Sequence, residues 1–596
     1  ELPPDCRHGR ANLKEIMSYA PRTQDQLLAL RINAGIEELA EHECYVDATP
    51  DLVEAIVEGI GQIAAGEWAP TNRCGDEQGA TISDGEVLLP SGFAEAYNVY
   101  VEAGWYGIAA PVEHGGQGLP GSLAACVLEN LGTANMAFGL LPMLSVGALE
   151  AIQHHGSEAQ RATYLDKLVS GEWSGTMNLT EPQAGSDVGA LRTTATPITD
   201  GPHAGKYRIS GTKIFITWGE HRLVENIIHL VLARLPGAPE GSRGISLFVV
   251  PKFHVGQDGS LGARNDLKAV SLEHKLGIHA SPTCVMSFGE NGECIGELVG
   301  TENEGLKCMF TMMNNARVNV GNQGVQIAER ATQQATAFAM ERIQSPRAGS
   351  PEKTPVPIIE HPDVRRMLLR MRALTDAARA LLYYTTGQID RGNLGDEAAA
   401  LRGEVLVPML KAWGTDIGCE VASLGVQVHG GMGFIEETGA AQHYRDARIA
   451  PIYEGTNGIQ AADLVTRKLG LDNGEALTSL LTEIVSETGA HPELQALASD
   501  CRAVAQWMRE TASLDDRLAG SVAFCTMCAV AVAGWQLIGQ ADALGAEDSA
   551  FARLKRSSLR YLVEVIVPET AGLRKSAMFG STDLYALEAT DLVSAT

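Results

Sequence analysis

The chain has 596 residues, of which 45% are hydrophobic and 20% charged, and its net charge is −27. This length exceeds what one hydrophobic core usually supports, so several packed units are expected. The excess of 73 Asp and Glu over 46 Lys and Arg argues against a nucleic-acid partner, which needs a basic face. The 11 scattered cysteines, an odd number, favour a reduced, cytoplasmic protein.

Residues 1–16 form a polar stretch without the apolar core of a signal peptide, and Met17 after them has the character of a natural start. We therefore expect 1–16 to be a remnant foreign to the native chain. No apolar run close to the roughly 20 residues of a membrane-spanning helix is evident, so no membrane span is predicted.

Helices are predicted first, over 17–170, where Leu52, Ile56 and Ile60 recur at helical spacing. Between 171 and 300 the pattern changes to short β-rich segments at 213–218, 227–233 and 245–251. Long helices return at 318–342, 364–388 and 397–425, and a helical extension occupies 472–596. Helices and strands are segregated rather than alternating, so the pattern predicts an α+β, mostly α fold and argues against a doubly wound sheet.

Two motif matches are interpreted as packing and loop features. Cys525 and Cys528 form a C-x-x-C inside an apolar run without a second pair, which favours helix packing. The segment 116–121 fits G-x-G-x-x-G, but Pro111 and the residues after it break any strand ahead of it. The spacings of zinc proteases and of G-x-S-x-G hydrolases are absent, and no metal is predicted.

The segment 444–460 contains the strongest candidate for chemistry. Glu454 lies between Tyr453 and the turn Gly455-Thr456, at the end of an apolar stretch. A carboxyl in dry surroundings has a raised pKa, and a general base works best with a pKa near the operating pH. For an isolated Glu-Gly-Thr, a solvated glutamate at a helix end is the better explanation, so other motifs must decide.

Three further segments carry features of a nucleotide site. The small residues and hydroxyls of 177–189 let a backbone lie against a flat ring, and the strand 211–219 could hold one face of that ring. The consecutive glycines of 427–434 permit close approach to a pyrophosphate. Taken singly, the first two are better explained as an ordinary loop and a half-buried strand, and the third is equally well a helix C-cap.

In their order along the chain, these motifs together resemble the flavin-dependent acyl-CoA dehydrogenase family over residues 101–471. The residues that carry the resemblance are Thr180-Glu181-Pro182, Gly185-Ser186-Asp187, Phe215-Ile216-Thr217, Arg342, Gln427 with Gly430-Gly431, and Tyr453-Glu454-Gly455-Thr456. The start at Met17 and the helical extension are most similar to the 3-methylmercaptopropionyl-CoA dehydrogenase branch. Very-long-chain enzymes also have an extension, so a medium or long acyl chain remains open.

The resemblance implies an N-terminal helical domain at 17–170, a middle β-barrel or sandwich domain at 171–300, a four-helix-bundle domain at 301–471 and the extension at 472–596. It implies that Glu454 removes the α-proton of an acyl-CoA thioester, with FAD as cofactor and a trans-2-enoyl-CoA as product. Ala316 occupies the place where some members carry the base, which leaves Glu454 as the only candidate.

Residue roles follow from the same resemblance. The residues expected to bind FAD are Met177, Leu179, Thr180, Gly185, Ser186, Phe215, Ile216, Thr217, Arg342, Gln344, Gln427, Gly430, Gly431, Thr456 and Asn457. Those from Arg342 to Gly431 are expected to act across a subunit boundary. The residues expected near the acyl-CoA are Ser186, Asn314, Arg317, Tyr453 and Gly455.

The resemblance further implies an electron-transfer flavoprotein as partner, a homodimer or dimer of dimers, and a place in fatty acid metabolism or dimethylsulfoniopropionate degradation. Two alternatives stay open: a non-catalytic relative that binds nucleic acid, and an acyl-CoA oxidase. The acidic charge and the intact Glu454 motif favour the enzyme over the non-catalytic relative.

Overall fold

The computed structural model describes residues 19–83, 85–256 and 258–594, so the predicted remnant 1–16 and the start at Met17 lie outside it. The chain divides into two compact units. Of the described residues, the helical unit comprises 19–58, Pro120–Glu129 and 317–594, and the mixed unit comprises those within Gly59–Leu119 and Asn130–Ala316. The domain boundaries at 170, 300 and 471 stay predictions.

The helices up to the middle of the chain are α1 (Thr23–Ala29), α2 (Ile36–Leu39), α3 (Pro50–Ile63), α4 (Ala69–Gln78), α5 (Phe93–Glu102), α6 (Gly121–Ala134), α7 (Met136–His155) and α8 (Glu158–Ser170). The following helices are α9 (Gly305–Glu341), α10 (Pro362–Asn393), α11 (Glu397–His429), α12 (Ala440–Ala447) and α13 (Asn457–Thr466). The extension contains α14 (Glu475–Glu487), α15 (Pro492–Glu510), α16 (Leu514–Ala543), α17 (Ala550–Tyr561), α18 (Val567–Ala571), α19 (Leu573–Ala577) and α20 (Asp591–Ser594).

The strands are β1 (Thr81–Ser83), β2 (Glu86–Leu88), β3 (Trp173–Asn178), β4 (Thr194–Pro197), β5 (Tyr207–Thr217), β6 (Asn226–Arg234), β7 (Ile245–Pro251), β8 (Phe253–Val255), β9 (Leu261–Arg264), β10 (Leu267–Leu272), β11 (Thr283–Phe288) and β12 (Ile295–Val299). The mostly helical class with strands in the middle region is confirmed. The hairpin of β1 and β2 was not predicted, because three residues a strand are too few for a visible alternation.

The long helices differ from their predicted bounds. Helix α9 begins at Gly305 rather than at 318, because polar residues such as Asn314 and Asn315 hide the apolar period of its first turns. Helix α10 begins at Pro362, a residue whose fixed φ suits a first helical turn, and α11 continues to His429.

The mixed unit is built around an eight-stranded sheet in the order β10-β11-β5-β12-β7-β6-β3, with β4 paired to β5 and β6. Strands β6 and β7 are buried almost throughout, as expected for central strands. The Trp68 ring stacks on Phe138 with centroids 3.9 Å apart. The indole of Trp218 donates to the Ala137 carbonyl at 3.3 Å. Aromatic packing therefore joins the helices of this unit to its sheet.

In the helical unit, α9 and α11 touch backbone to backbone. A Cβ on Gly324 would lie 1.9 Å from the Gly414 carbonyl oxygen, and one on Gly321 would lie 2.6 Å from Leu410 Cγ. Further along, Gly425 faces Ala331, so the partners advance in the same direction and the two helices run parallel. Only glycine permits this approach.

A group of buried charges forms a second feature of the helical unit, and we call it the charged core. It consists of Asp25, Glu129, Glu329, Arg372, Asp376, Arg379 and Lys555. Glu329 accepts from Arg372 at 2.7 and 3.0 Å and from Arg379 at 2.9 Å. Lys555, on α17, bonds Asp25 at 2.7 Å and Asp376 at 3.1 Å. The charged core thus fastens the C-terminal extension to α1 and α10.

Helices α7 and α16 are long and apolar enough to cross a membrane, so the expectation that no run has this length is wrong. In the most apolar 18-residue stretch of each helix, 83% and 67% of the residues are buried inside the protein, which is typical of core helices. Cys525 and Cys528 are both buried in α16, and no described cysteine forms a disulfide. The helix-packing interpretation of this pair is confirmed.

Candidate active site

Glu454 lies in the turn between α12 and α13, in a left-handed conformation with φ +55°, followed by Gly455 with φ +82°. A residue with a side chain rarely adopts this conformation, and it persists only where the surroundings over-determine it. The Thr456 hydroxyl accepts from the Ile459 amide at 3.2 Å and caps α13. The turn therefore ends on a helix N-terminus.

The turn is held mainly by side chains of α11. Lys411 Nζ donates to the Gly455 carbonyl at 2.7 Å and to Asn457 Oδ1 at 3.0 Å. The side-chain nitrogen Nδ2 of Asn457 donates to the Ala412 carbonyl at 2.9 Å and to Asp416 Oδ1 at 2.8 Å. On the other side, Gln460 Nε2 donates to the Glu454 carbonyl at 3.1 Å.

The electrostatics of the turn favour proton transfer near neutral pH. Burial raises the pKa of Glu454 to about 7, although Arg317 and Lys411 oppose the rise. Burial also lowers the pKa of Lys411 to about 8. The Tyr453 hydroxyl donates to Gln323 Oε1, and burial together with Glu454 raises its pKa far above the usual value. Glu454 is thus the group of the turn suited to act as a base.

In the mixed unit, the predicted flavin-ring motifs lie side by side. The Ile214 amide donates to the Thr180 carbonyl at 2.9 Å, and the Thr176 hydroxyl donates to the Thr217 carbonyl at 2.7 Å. Phe215 has φ +60° and is 57% exposed, an unusual state for an aromatic residue in a strand. An aromatic side chain is therefore presented to the outside next to the Thr180 segment.

A buried ion pair anchors the loop that follows Thr180. Glu181 accepts from Lys213 Nζ at 2.8 Å, from the Thr193 amide at 3.0 Å and from the Arg192 amide at 2.7 Å. Although burial opposes it, these donors lower the pKa of Glu181 to about 2. The anchored segment leaves Gly185 and Ser186 exposed, while Met177 and Leu179 are half-buried or buried.

In the helical unit, the predicted adenosine-side residues lie at or just after the C-terminal ends of α9 and α11. Phe338 stacks on His429 with ring centroids 4.4 Å apart. Arg342 Nη2 donates to Gln344 Oε1 at 3.2 Å. Gln427, Gly430 and Gly431 are exposed, and a Cβ on either glycine would meet nothing within 4 Å. The surface above these residues is open.

Other predicted site residues are placed differently. The Ile216 side chain belongs to the core cluster of the sheet, so only its backbone is available to a ligand. The side-chain amide of Asn457 is engaged with α11. Asn314 is exposed and Arg317 is buried, three residues apart on α9.

Sequence reasoning missed Lys411 and Gln323. Lys411 is the one cation in the apolar stretch 405–413 of α11, and a charge in such a run is a signal that was available. Gln323 carried no signal, because its partner Tyr453 is distant in sequence. Among the described residues, no group of three or more His, Cys, Asp or Glu side chains could hold a metal ion.

Comparison with protein families gives matches along most of the chain. The models described as the N-terminal, middle and C-terminal domains of acyl-CoA dehydrogenase match residues 54–172, 176–290 and 303–469. The chain belongs to the acyl-CoA dehydrogenase family. It is therefore an oxidoreductase, and its fold has the three domains of the family in order. A model described as acetyl-CoA dehydrogenase C-terminal like matches residues 485–588 of the extension.

Individual relatives of this acyl-CoA dehydrogenase fit the same assignment. A 3-methylmercaptopropionyl-CoA dehydrogenase of Ruegeria pomeroyi is 46% identical over 93% of this chain and 97% of its own. A butyryl-CoA dehydrogenase of Syntrophomonas wolfei is 37% identical over 78% of each chain. The structure of an acyl-CoA dehydrogenase from Bacillus anthracis, complexed with FAD, superposes with a TM-score of 0.69 at 21% identity, over 91% of this chain and 90% of the other. These findings favour the enzyme over the non-catalytic alternative.

Proposed function

We propose that this acyl-CoA dehydrogenase uses FAD to convert 3-(methylthio)propanoyl-CoA, also called 3-methylmercaptopropionyl-CoA, to its trans-2-enoyl-CoA. The observation that carries the chemistry is Glu454, a carboxyl with a pKa of about 7 on a strained turn beside two buried cations. The choice of acyl group is supported by the 46% identity to the Ruegeria pomeroyi enzyme, which extends over nearly the whole of both chains.

The residues of the turn have separate roles in proton abstraction. Glu454 takes the α-proton of the thioester, and its raised pKa gives it the basicity that an ordinary glutamate lacks. Tyr453 and Gly455 flank the reacting carbons, and Arg317 lies on the acyl-CoA side. The left-handed backbone fixes the direction in which the Glu454 side chain leaves the main chain, which reduces the reorganisation needed when the substrate binds.

The described residues fit a bound FAD. In the mixed unit an exposed aromatic residue, Phe215, stands beside the hydrogen-bonding segment at Thr180. In the helical unit, Gly430 and Gly431 leave open space beside Arg342 and Gln427, where a phosphate-bearing group could approach the backbone. When bound, FAD would accept the hydride equivalent lost from the β-carbon, and the protein would supply alignment and the base.

A homodimer fits the surface at the ends of α9 and α11. Several large apolar side chains are exposed there, from 44% to 86% of their area: Met340, Ile343, Met432 and Phe434. Apolar side chains that are exposed together mark interaction surfaces. The residues expected to bind FAD across a subunit boundary, from Arg342 to Gly431, lie next to these apolar side chains in the sequence. An electron-transfer flavoprotein as acceptor, a cytoplasmic location and a role in dimethylsulfoniopropionate degradation complete the proposal.

A straight acyl chain without sulfur is the second candidate: the 37% identity to a butyryl-CoA dehydrogenase supports a short chain, and a medium or long chain is the alternative that the sequence left open. Two measurements with a panel of thioesters decide between them: anaerobic bleaching of the visible flavin band of the FAD-loaded enzyme, and steady-state turnover with an artificial electron acceptor. We expect 3-(methylthio)propanoyl-CoA to bleach the band and to be turned over with a kcat/KM at least about tenfold above those of butanoyl- and octanoyl-CoA. A higher kcat/KM for octanoyl-CoA would overturn the substrate assignment, and peroxide formed under air would identify an oxidase.

A further inference from the structure

Lys411 is a buried cation whose ammonium group donates hydrogen bonds to the turn that carries Glu454. Its side chain is 0% exposed, and burying an ammonium group is costly unless its protons are hydrogen-bonded. Both acceptors, the Gly455 carbonyl and Asn457 Oδ1, are neutral oxygens at 2.7 and 3.0 Å. The positive charge is therefore not neutralised by the groups it bonds.

The turn needs such support. The left-handed backbone of Glu454 has φ +55°, which costs free energy in any residue with a side chain. Gly455 tolerates its own φ of +82° without this cost. The bonds from Lys411 act one and three residues after Glu454, and the Gln460 bond acts on Glu454 itself.

The helix contact explains why Lys411 arrives at this place. Helices α9 and α11 run parallel and meet at Gly321 and Gly414. Arg317 and Lys411 each lie about one helical turn before these glycines, so both cations occupy the same end of the contact. The charged and titratable groups that face the base or its cations are Arg317 on α9, Lys411 and Asp416 on α11, Asp463 on α13, Arg467 directly after α13, and Tyr453 in the turn.

We propose that Lys411 is a positioning residue for proton abstraction: it holds the backbone turn that orients Glu454 and keeps a positive charge, hydrogen-bonded only to neutral oxygens, beside the carboxylate. The proposal rests on the proposed function, in which Glu454 is the base. It separates two roles, since the hydrogen bonds set where the carboxyl points and the charge sets the pH at which the carboxyl is ionised.

The variants Lys411→Met and Lys411→Arg test the proposal, with Lys468→Met as matched control. Lys468 lies in the same unit, but its ammonium pairs with Glu404 at 2.6 Å on the surface. Two quantities are measured: kcat against pH at saturating thioester, and the ionisation of Glu454 in substrate-free enzyme. The second is an infrared difference titration against a Glu454→Gln background, and it needs no turnover.

For Lys411→Met we expect the midpoint of the Glu454 titration and of the acid limb of kcat to rise by about one pH unit, because a nearby cation is lost. The plateau of kcat should fall about tenfold to a hundredfold, because the carboxyl is less well directed, while KM stays within about twofold. Lys411→Arg should restore the midpoint but only part of the plateau, since a guanidinium does not fit the same two acceptors.

Profiles of Lys411→Met that superpose on those of Lys468→Met would overturn the proposal. If Lys411→Met does not fold, Lys411→Gln takes its place, since it removes the charge and retains a donor. An inactive Glu454→Gln combined with an unshifted Lys411 variant would reject the positioning role alone. An active Glu454→Gln would instead reject the proposed base.

Discussion

Two places in the helical unit bury carboxylates among cations, with opposite results. In the charged core, Arg372 and Arg379, together with the partly exposed Arg22 at its edge, hold the pKa of Glu329 well below the usual value despite its burial. At the turn, burial prevails over Arg317 and Lys411 and raises the pKa of Glu454 to about 7. Glu329 accepts hydrogen bonds directly from its guanidinium partners, whereas the Lys411 ammonium donates its hydrogen bonds to neutral oxygens of the turn. Whether a buried carboxyl is ionised thus depends on where the donors of its neighbours point, not on their charge alone.

The largest effect is expected for Glu454→Gln, which tests whether the carboxyl at the turn is the base. The amide cannot take a proton, so we expect turnover to fall about a thousandfold or more, with the visible FAD spectrum retained. The melting temperature above pH 7 should stay or rise, because a carboxyl whose pKa is raised on folding destabilises the fold increasingly from the ordinary value of 4.5 up to about 7, and by a constant amount above it. Activity within a few fold of the parent would remove Glu454 from its role.

Glu329→Gln is the corresponding change in the charged core and should act on stability instead. It leaves buried arginines without their carboxylate, so the free energy of unfolding in urea should fall by about 4–5 kcal/mol. Glu564→Gln removes the carboxylate of an exposed pair with Arg560 and serves as control. It should change the free energy of unfolding by no more than about 0.5 kcal/mol. A loss at Glu329 as small as the control's would show that the network does not stabilise the fold.

Lys555→Met should cost less, about 3 kcal/mol, because Arg372 and Arg379 remain 3.6 Å from Asp376. The lost bonds join α17 to α1 and α10, so limited proteolysis should release the extension before the rest of the chain unfolds. Simultaneous digestion of extension and bundle would contradict this role for Lys555.

The smallest effect is the pH dependence of the parent enzyme. Glu454 must be ionised to accept a proton, so kcat should rise with pH to a plateau above a midpoint near 7. At one pH unit below the midpoint kcat should be about tenfold below the plateau. Glu329→Gln should leave this midpoint unmoved, and a midpoint near 4.5 in the parent would show that the turn is solvated.

The sequence allowed the helical and β regions, the turn and the flavin-ring motifs to be predicted, because each depends on residues close together in the chain. The hairpin at Thr81–Ser83 was missed because its strands are so short. The charged core was missed for another reason: Asp25, Asp376 and Lys555 lie in three distant segments, and nothing local indicates that they meet. Lys411 could have been questioned as a cation in an apolar run, but its acceptors could not be foreseen.

The glycine contact between α9 and α11 has a consequence for variation in this chain. Even a methyl group on Gly324 would collide with the Gly414 backbone and push the two helices apart. Arg317 and Lys411 would then separate from the base together, although neither had been replaced. The distance of both cations from Glu454 therefore depends on two glycines that have no side chain to contact the base or the cations, so a substitution there should impair proton abstraction as well as packing.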